Sequence, residues 1–383
     1  MGYKVLVSDK LSTKGIDILK DEFQVDLKLG LSEDEILSII GDYDAMLVRS
    51  ETKVTAKIIE AANKLRIIGR AGVGVDNIDV PAATKKGIIV CNSPEGNTIA
   101  AAEHSFALLM SMARNIPFAH ASLQKGEWKR SQFTGVELAG KKLGVVGLGK
   151  IGKRVVRYAQ GVGMEILGYD PYINEEYSRQ LGIKLMGLDG LLKTADFITF
   201  HIPKTKETQN LINKDKFAIM KDGVYIVNCA RGGIIVEKDL AEAVISGKVR
   251  AAAVDVFEVE PIVEGNVLLG VKNLITTPHI GASTEEAQEN VAIDVAQQVR
   301  SVLTGGEANA AVNIPSLRRE LLDPVRQLMG LGEKLGLFMS QLIRDESISD
   351  VEIEYTGEVA EKEVAPLNLA ILKGLLNYLQ NGQ

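Results

Sequence analysis

The chain has 383 residues, of which 46% are apolar and 25% charged, a composition typical of a globular protein rather than a disordered or fibrous one. At roughly 150 residues per domain, this length favours two or three domains. Lys and Arg number 44 against 50 Asp and Glu, so the net charge is −6. This charge argues against a nucleic-acid partner, and an anionic substrate must be held by a few locally placed cations.

The two cysteines and the N-terminal segment indicate a reducing compartment. Cys91 and Cys229 each stand in an apolar stretch, which favours two reduced, buried thiols over a disulfide. The N-terminal residues lack the apolar core of a signal peptide, and no run approaches the roughly 18 apolar residues of a membrane helix. We therefore expect a cytoplasmic protein without a membrane contact.

Over the first part of the chain, short β-branched runs alternate with helical patterns. The runs are KVLVS, VDLKL, AMLVR, RIIGR and GIIVC. Helices are predicted from about Thr13 and after Ser32 and Thr55. Glu35 follows Ser32 by three positions, a capping box that marks a helix start. The alternation predicts a parallel sheet with crossover helices.

The alternation of strands and helices restarts in the middle of the chain. Residues 98–115 are Ala-rich and apolar on more than one face, which indicates a helix buried between domains or subunits. From Lys142 onward the predicted strands are KLGVVG, MEILGY, DFITF, GVYIVN, AAAVDV and NLITT. They predict a second doubly wound unit over residues 143–276, followed by a helix from about Thr284 to Leu303.

Beyond residue 315 the pattern changes. Leu317 to Ile343 is typical of an amphipathic helix. Val351, Ile353 and Tyr355 alternate with acidic residues as in a half-exposed strand, and a helical pattern follows Pro366. These features predict the start of a further α+β domain.

One stretch matches a dinucleotide fingerprint. Residues 147–152 read GLGKIG, directly after the strand Leu143 to Val146 and at the start of a helix, which is the context the motif requires. Gly147 permits the tight turn, Gly149 lets the backbone approach a pyrophosphate, and Gly152 allows close helix–strand packing. The free N–H groups and the helix dipole would then hold the phosphates.

Asp170 ends the strand MEILGYD, about 20 residues downstream of the fingerprint. A carboxylate there accepts hydrogen bonds from the adenosine ribose and repels a 2′-phosphate, so NAD is preferred over NADP. The alternative is that Asp170 and Pro171 merely form a strand-ending turn.

Three later loops each carry an ionisable residue just after a predicted strand. They are NCARGG with Arg231, DVFEVEP with Glu260 and TTPHIGAS with His279. Open α/β sheets bind ligands at this end of their strands. Taken singly, Arg231, Glu260 and His279 are more typical of a surface cation, a solvated loop acid and a packed histidine than of a catalytic site.

In order and together, these segments resemble the D-2-hydroxyacid dehydrogenase family over about residues 3–315, most closely the members that act on D-3-phosphoglycerate. The other matching stretches are LVRSETKVTAKII, IIGRAGVGVDNID, CNSPEGNTIAAAEH, VVGLGKIG and GYDP. The resemblance implies an α/β fold of two doubly wound parallel-sheet domains. A Rossmann-type NAD domain (97–284) is inserted in a discontinuous, flavodoxin-like substrate domain (1–96 and 285–304), and a partial intervening or regulatory domain (316–383) follows.

The resemblance also implies the reaction: NAD-dependent oxidation of D-3-phosphoglycerate to 3-phosphohydroxypyruvate, the first step of phosphorylated serine biosynthesis. His279 would exchange the hydroxyl proton as the C2 hydride moves to or from nicotinamide. Glu260 would hydrogen-bond the other ring nitrogen and favour the charged imidazole. Arg231 would hold the substrate carboxylate and polarise the C2 oxygen.

Cofactor and substrate contacts follow from the same resemblance. The implied cofactor residues are Val73, Gly147, Gly149, Lys150, Ile151, Gly152, Asp170, Ile202, Cys229, Ala230, Arg231, Asp255, His279, Gly281 and Ala282. The implied substrate residues are Arg49, Ser50, Arg70, Gly72, Val73, Gly74, Asn97, Arg130, Arg231 and His279. Val73 stands where relatives often have threonine, and no metal is expected.

Arg49 and Arg70 resemble the phosphate-contacting arginines of the family. Neutralisation of nearby carboxylates would explain these two arginines equally well. The backbone amides of Gly72 to Val75 would form an anion nest. His104, His120 and His201 lack a matching carboxylate partner and are assigned to structure or solvent.

The family implies a homodimer or homotetramer, with Trp128 and Arg130 on a segment that reaches a partner subunit. Two alternatives stay open for the function. One is a glyoxylate, hydroxypyruvate or D-lactate reductase, against which Arg49 and Arg70 argue. The other is a NAD-sensing corepressor, which would keep the same three catalytic residues.

Longer members of the family continue into an intervening domain and a terminal domain that binds serine. The resemblance to the intervening domain begins near Ser316 and breaks off at Gln383. We therefore expect a dehydrogenase that is insensitive to serine, with residues 316–383 looser than the core. The alternative is that residues 316–383 form a complete small cap of their own.

Overall fold

The computed structural model describes residues 2–314, 325–343, 348, 350–360, 362 and 364–381. The chain divides into two compact units, Met1–Ala310 and Ala311–Gln383. The named strands all belong to the first unit, where they form two separate sheets.

The first sheet has five parallel strands in the order β2-β1-β3-β4-β5. The strands are β1 (Lys4–Val7), β2 (Gln24–Leu27), β3 (Ala45–Val48), β4 (Ile67–Arg70) and β5 (Ile89–Asn92). The helices between them are α1 (Thr13–Lys20), α2 (Glu33–Ile39), α3 (Ala56–Ala61) and α4 (Val80–Lys85). This strand order confirms the flavodoxin-like arrangement. The Ser32–Glu35 capping box at the start of α2 is also confirmed.

The second sheet has seven parallel strands in the order β12-β11-β10-β9-β6-β7-β8. They are β6 (Lys142–Val146), β7 (Glu165–Tyr169), β8 (Ile183–Leu185), β9 (Phe197–Phe200), β10 (Val224–Asn228), β11 (Val249–Val254) and β12 (Leu274–Thr276). The order reverses beside β6, as in a Rossmann fold. The sequence analysis missed only the short edge strand β8.

Helices cover both faces of the second sheet region. They are α5 (Thr98–Ala113), α6 (Ile116–Gln124), α7 (Lys150–Gly161), α8 (Glu175–Gln180), α9 (Leu188–Thr194), α10 (Lys214–Ile219) and α11 (Glu237–Ile245). Two hydrophobic clusters flank the sheet, one including Leu191, Leu240 and Val244, the other including Val155 and Leu109. The doubly wound character predicted for this part is confirmed.

The last helix of the first unit, α12 (Glu285–Leu303), returns to the first sheet. Val295 and Val299 share a buried cluster with Ile67 and other residues of that sheet. The contact is close, since a Cβ added at Gly69 would lie 2.4 Å from Cγ1 of Val295. This packing supports our proposal that residues 1–96 and 285–304 form one discontinuous domain.

The second unit contains two packed helices, α13 (Arg326–Leu342) and α14 (Ala365–Asn381). Glycines allow their backbones to approach, since a Cβ added at Gly336 would lie 1.9 Å from the Ile371 carbonyl oxygen. The helix predicted from Pro366 is confirmed. The predicted helix from Leu317 begins at Arg326 in the described residues, and Leu317 itself lies outside them.

The strand predicted at Val351, Ile353 and Tyr355 is wrong, because residues 351–356 have no regular secondary structure. An isolated extended segment has no neighbour to pair its backbone groups. Tyr355 is instead fixed through its hydroxyl, which donates to Oδ1 of Asn368 in α14 at 2.8 Å. In the described residues of this unit, the regular secondary structure is therefore helical, without the strand that an α+β domain requires. None of the helices in the described part of the chain has the length and apolar character of a membrane span.

Candidate active site

The parallel strands of the second sheet end at one common edge. Gly147, Asp170 and Asp255 directly follow β6, β7 and β11, and the loops with Arg231 and His279 follow β10 and β12. Parallel topology therefore places the fingerprint and the three catalytic candidates on the same side of the sheet, where this fold binds ligands.

The fingerprint glycines are required by close contacts. Gly147 has a φ of 96°, and a Cβ there would lie 2.6 Å from the carbonyl oxygen of His201. A Cβ at Gly152 would lie 2.1 Å from the carbonyl oxygen of Gly147. At Gly149, by contrast, nothing lies within 4 Å. The N-terminus of the 12-residue helix α7 thus faces open space, which fits a dinucleotide pyrophosphate.

The Asp170 carboxylate has two backbone partners. Its Oδ2 accepts from the Leu148 N–H at 2.8 Å, and its Oδ1 accepts from the Tyr172 N–H at 2.9 Å. The strand-ending turn considered above is therefore present. The same carboxylate also adjoins the fingerprint turn, so the turn does not exclude a contact with a ribose.

The other predicted cofactor residues near the fingerprint have protein partners. The side chain of Ile202 lies beside Gly147, with Cγ2 2.8 Å from an added Cβ. Ile151 packs against the hydrophobic cluster that includes Val155 and Leu109. Nζ of Lys150 forms an exposed ion pair with Oε1 of Glu95 at 2.5 Å.

His279 and Glu260 form a hydrogen-bonded pair. Nδ1 of His279 lies 2.6 Å from Oε2 of Glu260, whose Oε1 accepts from the Phe257 N–H at 2.9 Å. Burial raises the pKa of Glu260, but the hydrogen bonds from His279 and Phe257 outweigh it, so the net shift is downward. Glu260 is therefore ionised at neutral pH. It holds the proton on Nδ1 and leaves Nε2 for proton exchange.

Asp255 holds the loop that carries His279. Its buried carboxylate accepts from the Ile280 N–H at 2.9 Å, the Gly281 N–H at 2.8 Å and the Thr277 hydroxyl at 2.6 Å. Burial raises the pKa of Asp255, but its hydrogen bonds lower it further, so the carboxylate is ionised. Ala282 follows in the same loop and is half-buried.

The assignment of His104 is corrected by the structure. Its Nε2 lies 3.3 Å from Oδ1 of Asp255 and 3.3 Å from Oγ1 of Thr277. His104 and Asp255 are far apart in the sequence, and only the tertiary fold brings α5 to this loop. The sequence therefore could not predict this pair. His201 agrees with a structural role, because burial lowers its pKa to about 4. His120 is exposed.

Arg231 contacts loops that follow strands of both sheets. Its Nε donates to Oδ2 of Asp76 at 3.1 Å, and its Nη1 donates to the Ala230 carbonyl oxygen at 2.7 Å. Its Nη2 lies against Gly74, 2.0 Å from an added Cβ. The loop after β4 therefore meets the loop after β10 at this guanidinium.

Asn228, which the sequence analysis did not single out, shapes the turn that presents Arg231. Its Oδ1 accepts from the Ala230 N–H at 3.1 Å, and its Nδ2 donates to the Arg231 carbonyl oxygen at 3.0 Å. Cys229 lies within this turn, and burial raises the pKa of its thiol to about 12, so it is a neutral group at physiological pH. An Asn at the end of a strand, as in VNCARGG, is the available sequence signal for such a turn.

Arg49 and Arg70 end neighbouring strands of the first sheet, as predicted. Burial is the main cause that lowers the pKa of Arg70 to about 10, and the positive charges of Arg231 and Arg49 add to it. The guanidinium groups of Arg70 and Arg231 both lie against the loop after β4, at Gly72 and Gly74 respectively. Nε of Arg70 is also buried without a hydrogen-bond partner in the described residues. The carboxylates of Asp76 and Asp9 also act on Arg70 and counter the lowering of its pKa, so a contact of Arg49 and Arg70 with a substrate anion stays a prediction.

Asp9 and Asn77 position the segment from Arg49 to Thr52. The buried carboxylate of Asp9 accepts from the Arg49 N–H at 2.6 Å and from the Thr52 N–H and hydroxyl. Nδ2 of Asn77 donates to the carbonyl oxygens of Arg49 at 3.0 Å and Thr52 at 2.6 Å. Ser50 is exposed within this segment. Neither Asp9 nor Asn77 was identified from the sequence. The only sequence signal for such a positioning role is an Asp close to the end of a predicted strand, which applies to Asp9.

The remaining substrate candidates differ in their surroundings. The Gly72 N–H donates to the Arg70 carbonyl oxygen at 2.9 Å, so it is not free for the predicted anion nest. Val73 follows Gly72 in the same loop. Oδ1 of Asn97, at the start of α5, is buried without a hydrogen-bond partner among the described residues. Arg130 is exposed at the start of the 3-10 turn Arg130–Phe133, and its contact with a partner subunit stays a prediction.

Comparisons with known proteins agree with this geometry. Residues 106–281 match the profile of the D-isomer specific 2-hydroxyacid dehydrogenase NAD-binding domain. Residues 324–382 match that of the D-3-phosphoglycerate dehydrogenase intervening domain. The D-3-phosphoglycerate dehydrogenase of Synechocystis is 53% identical over 98% of this chain and 67% of its own length. That of Methanocaldococcus jannaschii is 50% identical over 98% of this chain and 71% of its own length.

Solved structures share the fold of the first unit. The Aquifex aeolicus D-lactate dehydrogenase complexed with NAD and lactic acid is 28% identical, with a TM-score of 0.74 over 82% of this chain and 100% of that one. A glyoxylate reductase from Paecilomyes thermophila is 30% identical, with a TM-score of 0.74 over 81% and 98%. Together with the relatives, they show that the chain belongs to the D-isomer specific 2-hydroxyacid dehydrogenase family, in its D-3-phosphoglycerate dehydrogenase branch, and carries that family's NAD-binding domain.

Proposed function

We propose that the chain oxidises D-3-phosphoglycerate to 3-phosphohydroxypyruvate with NAD. The observation that carries this proposal is that the guanidinium groups of Arg70 and Arg231 both lie against the loop of residues 72–74, while the His279–Glu260 pair stands in loops at the same edge of the second sheet as Arg231. The substrate has a carboxylate and a phosphate, and a chain of net charge −6 must bind both through local cations. The names of the relatives support the same substrate.

The catalytic roles follow from the hydrogen bonds. Bound NAD supplies the hydride acceptor. Arg231 pairs with the substrate carboxylate and polarises the C2 oxygen through its Nη groups, while Asp76 fixes its Nε. Nε2 of His279 takes the C2 hydroxyl proton, and Glu260 stabilises the imidazolium that results. In the reverse direction His279 returns the proton.

The cofactor-binding roles rest on the fingerprint and the strand ends. The amides at the start of α7 would hold the pyrophosphate in the open space at Gly149. Asp170 would accept hydrogen bonds from the adenosine ribose hydroxyls and disfavour a 2′-phosphate. Arg49 and Arg70 remain free for the substrate phosphate, because they lie in the first sheet rather than near the fingerprint.

Two other functions remain as alternatives. Structural neighbours named D-lactate dehydrogenase and glyoxylate reductase share the fold. Their named substrates lack a phosphate, however, and would leave Arg49 and Arg70 without a partner. A NAD-sensing corepressor would retain the same three catalytic residues, but relatives that are 43–53% identical to this chain are named D-3-phosphoglycerate dehydrogenase, which supports an NAD-dependent dehydrogenase.

We also propose that the chain forms a homo-oligomer, a dimer or a tetramer. The support is an exposed apolar surface on α6 and the following segment, where Ile116 and Leu123 are each 52% exposed and Trp128 is 77% exposed. Light scattering after size-exclusion chromatography measures the mass directly, and a monomer would contradict the proposal. The cytoplasmic location stays a prediction.

Initial rates of NADH formation test the catalytic proposal. We expect kcat/KM for D-3-phosphoglycerate to exceed that for D-glycerate and D-lactate by about 100-fold, the equivalent of roughly 3 kcal/mol from the phosphate contacts. The His279→Ala variant controls for a contaminating dehydrogenase. Equal rates with D-lactate, or faster reduction of glyoxylate, would indicate the reductase alternative. NADH binding without turnover of any of these substrates would indicate the corepressor.

A further inference from the structure

His104 lies outside the catalytic triad but contacts the loop that carries it. The side chain projects from α5 and is 18% exposed, while the Asp255 side chain that it meets is 1% exposed. Nε2 of His104 is 3.3 Å from Oδ1 of Asp255 and 3.3 Å from Oγ1 of Thr277. A Cβ added at Gly281 would lie 3.7 Å from Cδ2 of the same imidazole. The ring therefore contacts Thr277 at the start of the loop and leaves room for no more than a methyl group at Gly281.

The hydrogen-bond pattern determines which atom carries the proton. Asp255 is ionised and only accepts hydrogen bonds. The Thr277 hydroxyl donates its single hydrogen to Asp255 at 2.6 Å, so its oxygen is left to accept. Both groups facing Nε2 of His104 are thus acceptors, and Nε2 must be the donor. The imidazole is a fixed N–H group directed at the carboxylate and the threonine.

Asp255 transmits this contact to the catalytic loop. The carboxylate holds the amides of Ile280 and Gly281, directly after His279. His279 itself has a φ of 52°, a left-handed conformation that is uncommon for residues other than glycine and that the surrounding hydrogen bonds help to hold. The orientation of Asp255 therefore fixes the backbone on which His279 stands.

We propose that His104 is a positioning residue that orients Asp255 and Thr277 and thereby sets the loop Thr277 to Gly281 for both catalysis and cofactor binding. The proposal rests on the proposed function, in which the substrate C2 lies at Nε2 of His279 and must face the hydride acceptor. A loop that positions His279 then also borders the reactive end of the dinucleotide. His104 itself touches neither substrate nor cofactor in this assignment.

Asp255 is a buried, ionised carboxylate. It is desolvated, and it depends on hydrogen bonds from His104, Thr277 and two amides to stay ionised. Losing one of these hydrogen bonds lets the carboxylate turn away from the loop amides. We expect weaker NADH binding by about tenfold, which corresponds to roughly 1.4 kcal/mol.

Three variants of His104 separate hydrogen bonding from packing. His104→Gln places an amide N–H at a similar reach to Nε2, His104→Asn carries the same amide but stops short of Asp255, and His104→Leu fills space without a donor. His120→Ala, at an exposed histidine on α6, is the matched control. Two readouts need no substrate: the Kd for NADH from fluorescence titration, and amide hydrogen exchange in the peptide that contains Ile280 and Gly281.

The proposal predicts that His104→Asn and His104→Leu raise the Kd for NADH about tenfold and accelerate exchange at the two amides, while His104→Gln stays within about twofold of the wild type. Near-normal Kd values and exchange in all of the variants would overturn it. So would equal losses in the Gln and Asn variants, since these would indicate a packing role. If the Leu variant does not fold, the Gln and Asn pair decides the question. An absence of turnover with D-3-phosphoglycerate would contradict the proposed function and leave these readouts interpretable.

Discussion

Gly232 packs so closely against Phe257 that a Cβ added at Gly232 would lie 1.7 Å from the Phe257 carbonyl oxygen. Gly232 directly follows Arg231, and the N–H of Phe257 donates to Glu260 at 2.9 Å. The loop that carries Arg231 and the turn that carries Glu260, the partner of His279, are therefore in direct contact. This contact fixes the position of the Arg231 loop relative to the turn that carries Glu260.

The first prediction concerns this contact. Gly232→Ala places a methyl group against backbone, which cannot yield as a flexible side chain does. We expect kcat/KM to fall by at least 100-fold and the melting temperature to drop by several degrees, as for overpacking that costs about 1 to 3 kcal/mol. Gly161→Ala is the control, because an added Cβ there meets nothing within 4 Å. Wild-type rates in the Gly232 variant would contradict the proposed contact.

A second prediction concerns the charge of Glu260. Glu260→Gln keeps the shape of the side chain but removes the negative charge that favours a protonated His279. Without that charge, the imidazolium that forms during proton transfer loses its counter-ion, so we expect kcat for oxidation at about pH 7 to fall by at least about tenfold. A kcat equal to that of the wild type would contradict the role assigned to Glu260.

The same variant has a consequence for stability. Because folding lowers the pKa of Glu260, its stabilising contribution is fully present above its ordinary value of 4.5 and is lost as the pH falls through the lowered value. The difference in melting temperature between wild type and Glu260→Gln should therefore be larger at pH 7 than at pH 3. A difference that grows toward acid would contradict this assignment.

Local patterns predicted most of the fold and the outline of the site. Strand and helix periodicity identified both parallel sheets, and parallel topology alone brought the loops of Arg231, Glu260 and His279 to one edge. The edge strand β8 was missed because three residues are too short for a periodic signal. The strands and helices that were predicted correctly are those whose pattern of apolar and polar residues is visible within a short stretch of the chain.

The contacts that hold the site together depend on residues far apart in the chain, so they could not be predicted. Asp9 binds the Arg49 segment, and Asp76 binds Arg231, across separations of 40 and 155 residues. His104 meets Asp255 only because α5 packs on the second sheet. In the second unit, the alternation at Val351 to Tyr355 suggested a strand, but alternation does not provide the pairing partner that a strand needs.

A third prediction tests the phosphate site. Arg70→Ala should raise KM for D-3-phosphoglycerate about 10- to 100-fold, since a hydrogen bond to a charged group contributes about 1.5 to 3 kcal/mol, and change D-glycerate kinetics far less. Arg66→Ala is the matched control, because Arg66 precedes the opposite end of β4 and pairs with the Tyr3 hydroxyl at 2.9 Å. Equal losses for both substrates in the Arg70 variant would indicate a structural role instead.

The last prediction separates the two roles of Asp170. Its carboxylate supports the turn through the N–H groups of Leu148 and Tyr172, and its charge would oppose the 2′-phosphate of NADP. Asp170→Asn retains an oxygen that accepts from the turn but removes the charge, whereas Asp170→Ala removes both. If charge decides coenzyme choice, both variants should lower the ratio of kcat/KM for NAD over NADP at least tenfold, and the Ala variant should also raise KM for both coenzymes. Asp222→Ala, at an exposed aspartate paired with Lys248, controls for the loss of a surface charge. A ratio that stays at the wild-type value in the Asn variant would show that Asp170 acts only through the turn, and NADP exclusion would then have to come from another part of the site.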